Sequence, residues 1–249
     1  MPTNSESGSA DVWQRPDVAH GFLDERSLAL PYRAEQLEVV LRLLRHAGTP
    51  IRRVLDLGCG DGVILETVLR AVPEASGVGL DFSEPMLERA RQRLEGLGPR
   101  LELVRGDLRD TAWERRASGP FDAVVSGFAI HHLPDDRKRA LYAEVYERLA
   151  PGGAFVNCEH VASPTPEVEA MFDEANAEHL WNQRRRRGED VTFDEVHREY
   201  LTRPDRAANI LAPVETQVAW LREIGFHNAD CFWKWFELAI FGGYKSADQ

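Results

Sequence analysis

The spacing of apolar positions changes period repeatedly along the chain, and each change marks an element. From about residue 11 to 44 it is helical: Leu37, Val40, Leu41 and Leu44 recur at three- and four-residue intervals with charged residues between them. After the turn-like Gly48-Thr49-Pro50 comes the short apolar run RRVLDL, which a glycine cluster separates from the helical VILETVLRAV. Strand and helix then alternate through ASGVGLDF, SEPMLERARQRLEGLG, LELVRGDL, FDAVVSGF, PDDRKRALYAEVYERL and, after a PGG turn, AFVNCEHV. In the second helix Ser83 is a natural N-cap, Pro85 suits the first turn, and Gly96 or Gly98 can close it. Repeated βα units predict a parallel sheet with helices on both faces.

Residues 163–212 break this rhythm. They are highly charged, include the run Arg184 to Arg187, and show helical stretches with no strand between, so they read as an inserted lid. Four consecutive arginines point around a helix, which makes a solvated face of that run. The amphipathic PVETQVAWLREIGF then restores the pattern, and HNADCFWKW and FELAIFGGYK close the sheet as two strands. Trp233 and Trp235 fall on one side of the first of these. With Phe232 and Phe236 they suit edge packing, closure of an acceptor pocket, or contact with a cation.

Composition narrows the class. A chain of 249 residues, 43% hydrophobic and 29% charged, holds one sizeable core, and no stretch approaches the roughly 18 uninterrupted apolar residues of a membrane span. Residues 1–10, MPTNSESGSA, have neither the basic start nor the apolar centre of a secretory signal and are expected to be a flexible tail, leaving residues 11–249 as one cytoplasmic domain with its helical cap at 11–47. Cys59, Cys158 and Cys231 form no CxxC pair, which points to reduced thiols and no metal site. The net charge of −11 repels a phosphate backbone and disfavours nucleic acid as a partner, while formation of a homo-oligomer is left open.

The chemistry concentrates in the first strand-to-helix loop, Asp56-Leu57-Gly58-Cys59-Gly60-Asp61-Gly62. Glycines there let the backbone turn tightly, approach a ligand closely and present peptide N–H groups to it. The spacing is GxGxG, not the GxGxxG of dinucleotide enzymes, which argues against a nicotinamide dehydrogenase. Asp81 ends the second strand, where a carboxylate accepts both hydroxyls of a ribose.

These residues carry a resemblance to the class I S-adenosylmethionine-dependent methyltransferases: VLDLGCGDG is similar to the family's first motif, GLDFS and GDL to its second and third, and VSGFAIHHL to its fourth, over residues 52–161. The resemblance implies a Rossmann-like, doubly wound, seven-stranded mixed α/β sheet that binds S-adenosylmethionine and releases S-adenosylhomocysteine. It implies that Gly58 and Gly60, with Cys59 and Asp61 in the same loop, line the methionine portion, that Asp56 favours the cofactor's ammonium or orients the loop, and that Asp81 holds the ribose. Phe82 and Met86 then flank the adenine, Gly106, Asp107 and Leu108 meet its edge, and Ser126, Gly127 and Phe128 stand beside the methionine. Tyr32 and Arg33 resemble the helix that covers the cofactor in many relatives, and a two-pronged Arg33 contact suits a carboxylate of cofactor or substrate.

Methyl transfer from a sulfonium is an in-line displacement, so holding the acceptor and excluding water are the protein's main tasks. His131 or His132 is the expected base for an acceptor that must lose a proton. A charged helical lid encloses a compact acceptor, so a small molecule is the expected substrate. Two other readings use the same motifs: an enzyme that handles a carboxymethyl form of the cofactor, and a non-catalytic binder of S-adenosylmethionine.

Overall fold

The computed structural model describes residues 30–247, so the expected tail and residues 11–29 of the cap lie outside the described residues. Seven strands form one sheet: β1 (Arg53–Leu57), β2 (Ser76–Asp81), β3 (Leu101–Arg105), β4 (Phe121–Gly127), β5 (Leu149–His160), β6 (His227–Trp235) and β7 (Leu238–Tyr244), in the order β3-β2-β1-β4-β5-β7-β6. The first five run parallel, and β7 lies antiparallel between β5 and β6.

Alternation along each strand divides the core into two layers. Leu55 and Leu57 of β1 face the layer that holds Trp113, Tyr142, Val145, Leu221 and Phe226. Val54 faces the other, with Val40, Leu44, Ile64, Leu65, Val68 and Ala90. The helices of the first layer are α4 (Trp113–Arg116), α5 (Asp135–Arg148) and α8 (Val214–Ile224); those of the second are α1 (Arg33–Arg45), α2 (Val63–Ala71) and α3 (Glu84–Leu94). Tyr142 is fully buried, and its hydroxyl donates to Gln217 Oε1 at 2.6 Å, so its polar tip is satisfied inside the core.

The inserted lid consists of α6 (Pro166–Arg186), α7 (Phe193–Thr202) and a short 3-10 turn, Pro204–Ala208. Thr192 and Glu195 start α7 with reciprocal side-chain bonds to each other's backbone. Arg184 is held by Glu189 at 2.7 Å and Glu199 at 2.6 Å, which ties α6 to α7.

Some local expectations are corrected. Within the described residues α1 starts at Arg33, after Tyr32 in a left-handed conformation (φ 58°), and Gln36 Nε2 donates back to Pro31 O. Ser83 occupies the N-cap of α3, but its side chain does not cap the amides of the first turn. Neither glycine closes that helix, which ends at Leu94 and passes into a 3-10 turn containing Gly98. The PGG segment lies within β5, where a register irregularity against β4 accommodates it.

Candidate functional site

After β3 the chain returns to the far side of β1 to lay down β4, so the loops following β1 and β4 part and leave a crevice at the carboxyl ends of the strands. Gly58, Gly60 and Gly62 all have positive φ, at 66°, 55° and 82°. A Cβ on Gly58 would sit 2.2 Å from Ala129 Cβ, so glycine is required both for the turn and for the contact with the β4 loop.

The expectation that these amides point at a ligand is corrected. Gly58 N and Cys59 N donate to Leu80 O at 2.7 and 3.0 Å, Gly60 N donates to Asp81 Oδ2 at 2.9 Å, and Gly62 N donates to Cys59 O at 2.8 Å. The loop is laced to the end of β2, so it offers shape and close approach in place of donors.

The crevice has a volume of about 760 Å³ including its mouth. Gly58 and Gly60 form one wall, Gly127, Phe128 and His132 another, and Asp81, Phe82, Met86, Gly106, Asp107 and Leu108 the rest. Asp81 is 7% exposed and is aimed by two backbone donors, Gly60 N on Oδ2 and Ser83 N on Oδ1. Asp107 is engaged by Arg109 in a two-pronged pair of 2.6 to 3.0 Å. Partial burial raises the Asp107 carboxyl, but the hydrogen bonds and charge of Arg109 hold it below its ordinary value. Arg109, whose guanidinium stands 5.8 Å from the Phe82 ring centre, also lines the crevice and was missed by the sequence reading.

Other candidates stand behind the wall. Ser126 Oγ donates to Leu57 O at 2.7 Å and locks β4 to β1. Asp56 is buried, and Asp61 pairs with Arg93 at 2.8 Å. Burial pushes the Cys59 thiol well above its ordinary value, and the carboxylates of Asp81, Asp56 and Asp61 push it further, so the thiol is neutral. The three carboxylates that act on Cys59 make the field at this loop negative, which suits a cationic ligand tail. An apolar slot beside an oriented carboxylate and a negative loop fits S-adenosylmethionine.

Tyr32 and Arg33 line a second cavity of about 1080 Å³ together with Trp235 and α6. The Arg33 guanidinium lies 5.8 Å from the ring centre of Phe128, a residue that lines the first crevice. Nη1 donates to Gln36 Oε1, while Nη2 is buried with no hydrogen-bond partner among the described residues.

The two candidate bases occupy different places. His132 faces the crevice, and its Nδ1 lies 3.1 Å from Ala208 O; since a carbonyl only accepts, Nδ1 carries the proton. Burial, followed by the charge of His131, pushes the His132 pKa down to about 3. His131 lies behind it, with ring centres 3.9 Å apart, and holds Glu159: Nδ1 is 2.5 Å from Oε1 and its backbone N donates to Oε2 at 3.0 Å. Burial raises Glu159 to about 7. Next along β5, His160 sets Nε2 2.7 Å from Oε2 of Glu237. The sequence reading missed Glu159, His160 and Glu237. The signal for the first two was present as a Glu-His pair inside the apolar run AFVNCEHV.

A strap of the lid, residues 204–212, covers these groups. Ile210 N donates to His131 O at 2.9 Å, and Ile210 O accepts from the buried Lys138 ammonium. Arg206 anchors the strap to α6 through Asp173 at 2.8 Å and Glu169 at 2.9 Å.

The opposite pKa shifts give a pH signature. His132 contributes stability that is present above its unfolded value of 6.5 and lost as pH falls toward 3; Glu159 contributes stability present below its unfolded value of 4.5 and lost as pH rises through about 7. Over the shared interval the two slopes oppose each other, at about 1.4 kcal/mol per pH unit each. Glu159→Gln removes one of them, so between pH 6.5 and 4.5 the variant's thermal midpoint drops relative to wild type as pH falls. Parallel melting profiles across that interval would refute the assignment.

Among the described residues no group of side chains is arranged to hold a metal ion, and no helix is long and apolar enough to cross a membrane. Residues 54–153 match the family model of a methyltransferase domain. A demethylmenaquinone methyltransferase of Clavibacter sepedonicus is 31% identical over 231 residues, covering 89% of this chain and 87% of that protein. A carboxy-S-adenosyl-L-methionine synthase of Wolinella succinogenes is 26% identical over 233 residues, covering 90% of this chain and 89% of that protein. Among solved structures, an O-methyltransferase family protein of Burkholderia thailandensis superimposes with a TM-score of 0.68 at 19% identity; it covers 96% of this chain, which spans 63% of that protein's length. That last likeness is one of fold.

Proposed function

The chain belongs to the class I S-adenosylmethionine-dependent methyltransferases, and from that premise we propose that it methylates a small molecule held between the carboxyl ends of β4 and β5 and the inserted lid. S-adenosylmethionine supplies the electrophilic methyl group. Asp81 holds the ribose hydroxyls, while Phe82, Met86 and Leu108 sandwich and edge the adenine. Arg33 Nη2 takes the carboxylate of the methionine portion, and the negative field around Cys59 favours its ammonium and sulfonium.

The observation that carries this reading is the His131–Glu159 pair, buried beneath the strap and one imidazole away from the crevice. Glu159 holds the Nδ1 edge of His131 and so orients the imidazole proposed as base for an acceptor hydroxyl. The strap covers the pair, and His132, fixed by Ala208 O as a neutral imidazole, lines the cofactor crevice beside it without bringing in a second charge.

The test is turnover. Purified protein, S-adenosylmethionine and a panel of small hydroxylated acceptors are expected to yield S-adenosylhomocysteine together with a product heavier by one methylene. Tight cofactor binding with no turnover on any acceptor, unchanged in His131→Gln, would favour a non-catalytic binder.

A second reading is favoured by the unpartnered Arg33 Nη2, which also suits the added carboxylate of a carboxymethyl cofactor. The mass of the ligand that co-purifies with the protein separates the two, since the unmodified cofactor mass counts against this second reading.

A further inference from the structure

Among the described residues that line the cofactor crevice, Arg109 is the one with a permanent positive charge, and methyl transfer does not use it. It stands two residues beyond Asp107 in the loop after β3, and it grips both oxygens of that carboxylate. Oδ1 accepts the backbone N of Arg109 at 2.9 Å and Nε at 3.0 Å; Oδ2 accepts Nε at 2.8 Å and Nη2 at 2.6 Å. A carboxylate offers about four acceptor directions. The backbone N and Nη2 take one each and Nε is shared between the oxygens, so the rigid guanidinium fork sets the plane of the carboxylate while leaving it room to accept from a ligand.

The same guanidinium stands 5.8 Å from the ring centre of Phe82. Phe82 follows β2 and Asp107 follows β3, neighbouring strands whose ends pair Asp81 with Arg105. Arg109 therefore joins the residue assigned to the face of the base to the residue assigned to its edge. The two side chains of the pair are 45% and 34% exposed, so the pair adds little to stability and its consequence is where it holds the carboxylate. The electrical surroundings agree. Burial raises the Asp107 carboxyl, and the hydrogen bonds and charge of Arg109, followed by the charge of Arg137, more than offset it. Arg137 comes from α5 and donates from Nε to Leu108 O at 2.7 Å; Asp110, in the same loop, turns Oδ1 to Ala112 N; Asp81 is the other carboxylate of the crevice, and neutral His132 lies on a different wall.

We propose that Arg109 is a positioning residue for the nucleobase end of the crevice: by fixing both oxygens of Asp107 it keeps that group an acceptor, so that the site selects a ring whose edge donates an N–H, a 6-aminopurine, over the 6-oxopurine that would turn an oxygen toward it. This rests on the reading that the base of S-adenosylmethionine lies along Asp107 and Leu108. It goes beyond that reading in giving the selectivity to a residue outside the motif that carries the family resemblance.

The experiment is calorimetric titration of wild type, Arg109→Met and Arg109→Lys with S-adenosylhomocysteine and with its deaminated analogue, in which a 6-oxo group and an N1–H replace the 6-amino group and N1. Each titration is made at about pH 7.5 and about pH 5. Wild type is expected to bind S-adenosylhomocysteine at least about tenfold tighter than the analogue at both pH values. Arg109→Met keeps an apolar stem beside Phe82 but leaves burial of Asp107 opposed only by Arg137; the carboxyl rises, and once protonated it donates to the 6-oxo group. Its preference is expected to fall by at least about threefold between the higher and the lower pH, while that of wild type stays level. Arg109→Lys restores the charge without the fork and is expected to recover the level pH response but not the full preference. Because the preference is a ratio between ligands that share ribose and tail, changes in loop packing or in other titrating groups that act on both ligands alike cancel from it. A preference in Arg109→Met that matches wild type at both pH values overturns the proposal. A wild type that binds both ligands equally overturns it together with the placement of the base along Asp107, and a wild type that binds neither removes the methyl-transfer reading itself.

Discussion

His131→Gln is expected to lower the rate of methyl transfer by about 10²- to 10⁴-fold, the range over which a positioned acid or base acts. Glutamine is chosen because its amide still donates a hydrogen bond to Glu159 but accepts no proton from the substrate. Alanine would instead leave the Glu159 carboxyl without the imidazole in a buried site. Because that carboxyl already titrates near 7, it would respond by taking up a proton, confounding loss of the base with a change of charge. Glu159→Gln provides the complementary measurement: it should reduce the rate less and move the pH profile, because it alters the orientation and basicity of His131 without removing it. Single-turnover rates of methylated product, measured with saturating cofactor and acceptor, decide the matter. A rate within about threefold of wild type in His131→Gln would show that His131 only supports the wall, and its buried position behind His132 would then be a packing role.

The strand, loop and helix order was legible because each βα unit writes its own period, and local signals such as Pro85 near the start of α3 and Gly225 after α8 coincide with that period. The glycine loop was legible for a similar reason, since its conformation excludes other residues. What its amides do was not, because Leu80 and Asp81, their acceptors, come from the next strand and the pairing exists only after the sheet has formed. The same limit explains Asp61, whose acidic character invited a ligand role but which meets Arg93 on α3. Long-range convergence also hid the carboxylates that meet the histidines: Glu159 and Glu237 lie far apart in sequence, and only the antiparallel return of β7 beside β5 puts a hairpin tip against His160. Tyr32 and Arg33 were found from local pattern, but their separation into a second cavity depends on where α6 packs.

Asp81→Ala is expected to weaken S-adenosylmethionine binding by about 1.5 to 3 kcal/mol, roughly ten- to a hundredfold in dissociation constant, through the loss of charge-assisted hydrogen bonds to the ribose. The structure adds a second route to the same loss. Asp81 also receives Gly60 N and Ser83 N, so its removal releases the loop after β1 from the end of β2, and a bare fall in affinity would not tell the two routes apart. Charge separates both from a third, the loss of the negative field. S-adenosylmethionine carries a sulfonium that S-adenosylhomocysteine lacks, whereas both carry the ribose. Loss of the ribose contact therefore weakens both ligands equally, and loss of the negative field near the loop weakens the sulfonium more. Titration of wild type and Asp81→Ala with each ligand at low salt, where screening is weakest, resolves the common part from the difference. A common loss of at least about tenfold places Asp81 in the binding of the part both ligands share, through the ribose or through the loop it anchors; unchanged dissociation constants in a folded variant would remove it from the site.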